Sequence, residues 1–130
     1  MNKALAIVSL SVWTLSATAA ETPQRLRDGY ARAAGLAPAE LSVTEGEAMY
    51  RRDGGRGRQC ASCHTENPRR QGRTRAGKLI EPLAPSGNAA RFTDAAKVEK
   101  WFGRNCSDVL GRACSAQEKA NLIAWLMSIN

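Results

Sequence analysis

Apolar positions recur at helical spacing in four stretches of the chain, separated by polar, glycine-rich connections. The first opens at Thr22-Pro23, with threonine as cap and proline at the first helical position. Leu26, Tyr30 and Ala34 follow at four-residue spacing, and Gly35 suits the exit. Ser42-Val43-Thr44-Glu45 is a capping box, which predicts a second helix from Val43 to about Arg52. Gly46, Met49 and Tyr50 share its stripe, and Gly54-Gly55-Arg56-Gly57 ends regular structure. Thr93 predicts a third helix from Asp94 to about Gly103, with Val98, Trp101 and Phe102 on its apolar side and a short turn over Ser107 to Gly111. Ser115 and Glu118 form a second capping box, opening a last helix through about Ser128. Leu122, Ile123, Leu126 and Ile129 are its apolar stripe, and Gly46 on the second helix would allow close approach near Trp125. Residues 66–91 read as loop, with one short hairpin about Ala76-Gly77 between Arg73-Thr74 and Lys78-Leu79-Ile80. The class is mainly α with long loops.

The amino-terminal residues follow a different pattern. Lys3 precedes an uncharged, mostly apolar run from Ala4 to Leu15, and Ala17-Thr18-Ala19 is a small-residue cleavage pattern. This is the pattern of a secretory signal peptide. A membrane anchor is the weaker reading, because the run is short for a span. Residues 1–20 are therefore expected to be a signal peptide, and residues 21–130 a single exported domain with no membrane insertion.

Composition adds two constraints. The chain has 130 residues with 19 Lys+Arg and 12 Asp+Glu, a formal charge of +7. Loss of Lys3 leaves 18 cationic against 12 acidic residues, or +6. Aromatic residues are few, so the core of so small a domain is thin and needs a cofactor, a disulfide or both. The single histidine excludes every mechanism that requires two.

Cys60-Ala61-Ser62-Cys63-His64 is C-x-x-C-H, the attachment signature of c-type haem. Two intervening residues form a tight turn that presents both sulfurs to the two vinyl groups of one porphyrin. Each thiol adds across a vinyl group, and His64 then lies where it can bind the iron as proximal ligand. A redox dithiol would sit in a βαβ context, which is absent here. A four-cysteine zinc site with Cys106 and Cys114 has tolerable spacing and is the other alternative. With haem on Cys60 and Cys63, the remaining pair, Cys106 and Cys114, is expected to form a local disulfide in an oxidising compartment. Pro68, Pro82 and Pro85 supply candidate carbonyl acceptors for His64 Nδ1.

The other face of the iron has several candidates. Met49 and Met127 are both read more readily as packing residues. Lys78 and Lys97 are read as solvated charges. From the bare sequence, Asn105 is best read as a helix cap after Trp101-Phe102.

A resemblance changes that weighting. The stretch Arg91-Phe92-Thr93-Asp94, Lys97-Val98-Glu99-Lys100-Trp101-Phe102, Arg104-Asn105-Cys106, Asp108-Val109-Leu110-Gly111-Arg112, Cys114 and Glu118-Lys119 resembles the SHP-type cytochromes c. Pro82-Leu83-Ala84-Pro85 and Cys63-His64-Thr65 fit the same family, and the match runs from about Gly46 to Ile129. The sequence is also similar to cytochrome c'', a relative with a distal histidine beside the first disulfide cysteine. Asn105 stands at that position here. The resemblance implies a cytochrome-c-like helical fold around one covalent haem, iron ligation by His64 and Asn105, and a Cys106–Cys114 disulfide. It also implies an electron source: a dihaem c-type cytochrome fed by a membrane b-type cytochrome.

An amide oxygen is a neutral, hard, weak ligand that suits ferric iron better than ferrous. The expected function is therefore an exported, periplasmic electron acceptor that releases Asn105 on reduction and binds O2, NO or CO. A plain electron carrier with a permanently six-coordinate iron is the alternative. Turnover of a bound gas, by NO dioxygenation or oxygen reduction, is a third reading. No second acid–base group is evident, which counts against peroxidase-like chemistry. Arg51, Arg52, Arg56 and Arg58 precede the motif, and Arg69, Arg70, Arg73 and Arg75 follow it. They are expected to pair with the propionates or to steer an acidic redox partner. Nucleic-acid binding is disfavoured by export and by the lack of interleaved aromatic residues.

Overall fold

A computed structural model describes residues 20–130. The expected signal peptide lies, except for Ala20, outside the described residues. The elements are α1 (Pro23–Ala33), a 3-10 turn (Pro38–Glu40), α2 (Val43–Tyr50), α3 (Ala61–His64), β1 (Gly72–Arg73), β2 (Leu79–Ile80), α4 (Ala95–Leu110) and α5 (Ala116–Ser128). Among the described residues no helix is long and apolar enough to cross a membrane.

The helix starts follow the local chemistry. Thr22 Oγ1 accepts from the Arg25 amide at 3.2 Å, and Gly35 leaves α1 at φ +72°. Ser115 and Glu118 close a complete capping box on α5. The box expected on α2 is only half made. Ser42 Oγ accepts from the Glu45 amide, but the Ser42 amide donates to Asn121 Oδ1 at 3.0 Å. A buried side chain of α5 thus satisfies the start of α2, and Asn121 is the buried polar residue of the core.

α4 departs from the expectation. Asp94, not Thr93, is its cap, and the helix runs to Leu110 without stopping at Gly103. A glycine costs a helix only about 1 kcal/mol relative to alanine. Continuation past Gly103 buries Cys106 and Val109 along with Phe102, which outweighs that cost. The stop comes at Gly111, a left-handed C-cap at φ +71°. α2 ends two residues short of its expected end, with Arg51 as C-cap.

α1 and α2 both pack on α5. The α2–α5 crossing runs through Gly46, where a Cβ would overlap the Asn121 carbonyl and lie 2.8 Å from Trp125 Cβ. Two aromatic pairs join the helices. Tyr50 stacks on Trp125 with ring centroids 4.8 Å apart, and Tyr30 meets Phe102 edge-on at 5.8 Å. Tyr50, Ile123 and Leu126 are the largest fully buried side chains. The expected hairpin forms, with Gly72 opposite Ile80 and Arg73 opposite Leu79.

Candidate haem-binding site

The C-x-x-C-H segment folds as a single helical turn. The Cys63 and His64 amides both donate to the Cys60 carbonyl, at 3.2 and 3.0 Å. Ser62 Oγ accepts from the Gln59 amide at the turn's entrance. This geometry puts Cys60 and Cys63 three residues apart on one helical face, which is what attachment to one ring needs. Both side chains are half-buried, and neither is in a disulfide.

His64 is buried enough that its pKa falls to about 4, with the Arg91 guanidinium adding to the effect of burial. The imidazole is therefore neutral and has a lone pair to offer a metal. Its Nδ1 is buried without a hydrogen-bond partner. The three proline carbonyls considered for it have other donors. Pro68 O accepts from the Leu83 and Ala84 amides, Pro82 O from Arg91 Nε at 2.7 Å, and Pro85 O from the Asn88 amide. Sequence reasoning passed over Arg91, which also donates to the Glu81 carbonyl and so clamps the loop behind the histidine. Its position inside the family-like stretch was visible, but nothing in its charge set it apart from the other arginines.

Two contacts hold the turn in place. The backbone leaves His64 through Thr65 at φ +65°, and the Tyr50 hydroxyl donates to the Thr65 carbonyl at 2.7 Å. On the other side, β1 lies directly on the motif. A Cβ at Gly72 would overlap the Cys63 carbonyl and approach His64 Cα to 3.0 Å.

Asn105 lies on α4, exposed, beside buried Cys106. The helix passes through it, so the capping role belongs to Gly111 and not to Asn105. Cys106 and Cys114 sulfurs meet at bonding distance, with Cα atoms 5.6 Å apart. That pairing leaves no four-cysteine cluster, and no metal-holding group of His, Cys, Asp and Glu is found among the described residues. The loop that leads into α3 is fastened to α4. Arg58 pairs with Asp108 at 2.5 Å, and the backbone at Gly54 packs so closely that a Cβ would lie 2.7 Å from Leu110 Cα. Met49 is a buried core residue and Met127 packs against the same core, so both methionines serve packing. Two thiols on one face beside a neutral imidazole are the donor set that a covalent haem requires.

A family described as "Domain of unknown function (DUF1924)" matches residues 36–126. The chain is 48% identical over 107 residues to cytochrome c-type protein SHP of Cereibacter sphaeroides, covering 81% of this chain and 82% of that protein. The chain belongs to both: the DUF1924 family and the SHP-type cytochromes c. Cytochrome c'' of Methylophilus methylotrophus is 47% identical over 92 residues, 67% of this chain and 64% of that protein. The structure of oxidised SHP, described as an oxygen-binding cytochrome c, superposes with a TM-score of 0.75 at 43% identity, covering 83% of this chain and 97% of that one. Oxidised cytochrome c'' from Methylophilus methylotrophus gives 0.71 at 40% identity, covering 83% and 94%. This SHP-type chain is thus a monohaem c-type cytochrome of mainly α fold, carrying a covalently bound haem.

Proposed function

We propose that this SHP-type cytochrome is exported to the periplasm, accepts one electron, and then binds a small diatomic gas (O2, NO or CO) on the face that Asn105 covers in the ferric state. The haem supplies the one-electron couple and the coordination position. The observation that carries the reading is the placement of Asn105: a mid-helix amide, free of capping duty, one residue before a cysteine at bonding distance from Cys114. Its relative SHP, described as oxygen-binding, supports the same reading.

Each residue has a stated task. Cys60 and Cys63 tether the ring. His64 holds the proximal position as a neutral ligand. Asn105 offers a weak oxygen donor that favours the harder ferric state and lets go on reduction. The Cys106–Cys114 disulfide holds the backbone beside Asn105, so release is limited to its side chain. The electron donor is proposed to be a dihaem c-type cytochrome supplied by a membrane b-type cytochrome.

Absorption spectra of the ferric and dithionite-reduced holoprotein, with and without CO, test this function. The reduced form is expected to bind CO. A low-spin ferrous spectrum that ignores CO overturns gas binding and leaves a plain electron carrier. Asn105→Ala is expected to change the ferric spectrum; an unchanged one removes Asn105 as ligand.

A further inference from the structure

Three of the four arginines before the motif pair with carboxylates, while the fourth, Arg56, is exposed and makes no ion pair among the described residues. Arg51 pairs with Glu47 and Glu66, Arg52 with Glu118, and Arg58 with Asp108. The cations after the motif are different. No acidic residue occurs between Glu66 and Glu81, while this stretch carries Arg69, Arg70, Arg73, Arg75 and Lys78. Among the described residues, Arg70, Arg73, Arg75 and Lys78 form no ion pair with a carboxylate, and all four are exposed. Arg73 donates only to the Gly77 carbonyl, a neutral acceptor that leaves its charge uncompensated.

Arg73, Arg75 and Lys78 sit on the β1–β2 hairpin, and Arg70 lies two residues before it. Leu79, directly opposite Arg73 in the ladder, is 53% exposed, the most exposed large apolar side chain described. The hairpin is also the element seated on the Cys63 carbonyl through Gly72. An uncompensated cationic surface with an apolar centre, in backbone contact with the haem-attachment turn, has the composition of a transient redox interface. Charge steers the encounter, and a small apolar contact holds it.

We infer that the β1–β2 hairpin is the docking surface for the electron donor, and that the donor presents an acidic patch around a small apolar contact that receives Leu79. This rests on the proposed role as an electron acceptor. In the reaction, one electron leaves the donor and the ferric iron becomes ferrous; no other group is consumed.

The test uses the full-length holoprotein and reduced flavodoxin, a small acidic one-electron donor, in stopped flow at several ionic strengths. The triple variant Arg70→Gln, Arg75→Gln, Lys78→Gln is compared with Arg25→Gln, Arg32→Gln, Lys100→Gln. The control removes the same charge from exposed positions on α1 and α4. At low ionic strength the hairpin variant is expected to be reduced about tenfold or more slowly, with a flattened salt dependence, and the control about twofold or less. Equal slowing of both variants overturns the local docking surface in favour of net charge alone, and no slowing of the hairpin variant overturns it outright. Leu79→Ser is expected to slow reduction about threefold at ionic strengths where steering is screened; an unchanged rate removes the apolar contact and overturns the inference. Binding to phosphatidylglycerol vesicles that the hairpin variant loses, with flavodoxin reduction unchanged, makes the surface a membrane site and likewise overturns it. Dithionite reduction and the CO spectrum of each variant report the electron-acceptor reading separately, because neither requires a docked protein.

Discussion

The hydroxyl of Tyr50 donates to the carbonyl of Thr65, joining a fully buried residue of α2 to the residue that follows His64. Thr65 is held at a positive φ, which disfavours a β-branched residue, so the contact fixes a conformation the chain would not adopt alone. Tyr50→Phe keeps the ring on Trp125 and removes only the donor. It is expected to destabilise the holoprotein by about 1–2 kcal/mol and to broaden the NMR signals of His64. Denaturant unfolding of both forms checks the first part.

Gly46 sits where α2 crosses α5 against backbone. Gly46→Ala places a methyl group into the Asn121 carbonyl, which has no flexible end to move aside. The expected cost is about 1–3 kcal/mol, against a gain for a solvent-facing control, Gly103→Ala, where no atom lies within 4 Å of the added carbon. Thermal unfolding of the two variants should move in opposite directions.

Glu118 accepts from Arg112 and Arg52 and closes the α5 capping box. The Arg112 hydrogen bond is the main reason its pKa drops to about 2. A depressed carboxylate contributes stability above its unfolded pKa and loses it as pH falls through the folded value. The contribution should be complete above about pH 4.5 and gone near pH 2. Glu118→Gln should therefore lower stability at pH 6 and make the remaining stability flatter between pH 5 and 2 (about the usual carboxylate range). Urea midpoints across that interval check it.

Replacement of both Cys106 and Cys114 by alanine opens an eight-residue separation. Loop-closure arguments place the loss at roughly 2–3 kcal/mol. Under the proposed ligation, the variant should also show a weaker Asn105 signature in the ferric spectrum. An unchanged denaturant midpoint would mean that the two thiols are not joined in the native protein.

Most of the elements were legible because their ends carry their own chemistry. Thr22, Ser42 and Ser115 each accept from the amide three residues on, and Gly35 takes the left-handed exit of α1. The helical turn at Ala61–His64 was legible from the C-x-x-C-H spacing. Two features were not. Gly103 reads locally as a stop, and only the burial of Cys106 and Val109 in three dimensions carries α4 past it. Arg91 and Asn121 act through contacts far from their neighbours in sequence, one on Pro82 and one on Ser42, and no local pattern announces such partners. The cap reading of Asn105 fails for the same reason, since α4 continues through it.

The unbroken run of α4 limits what can move beside Asn105. Its first half is held through Glu99, which accepts from Tyr30 and Lys119, and its second half through Asp108 and the Cys106–Cys114 pair. With the backbone pinned on both sides, Asn105 is left its own χ angles as the freedom by which to move. Under the proposed ligation, the distal face would then open without displacing a helix.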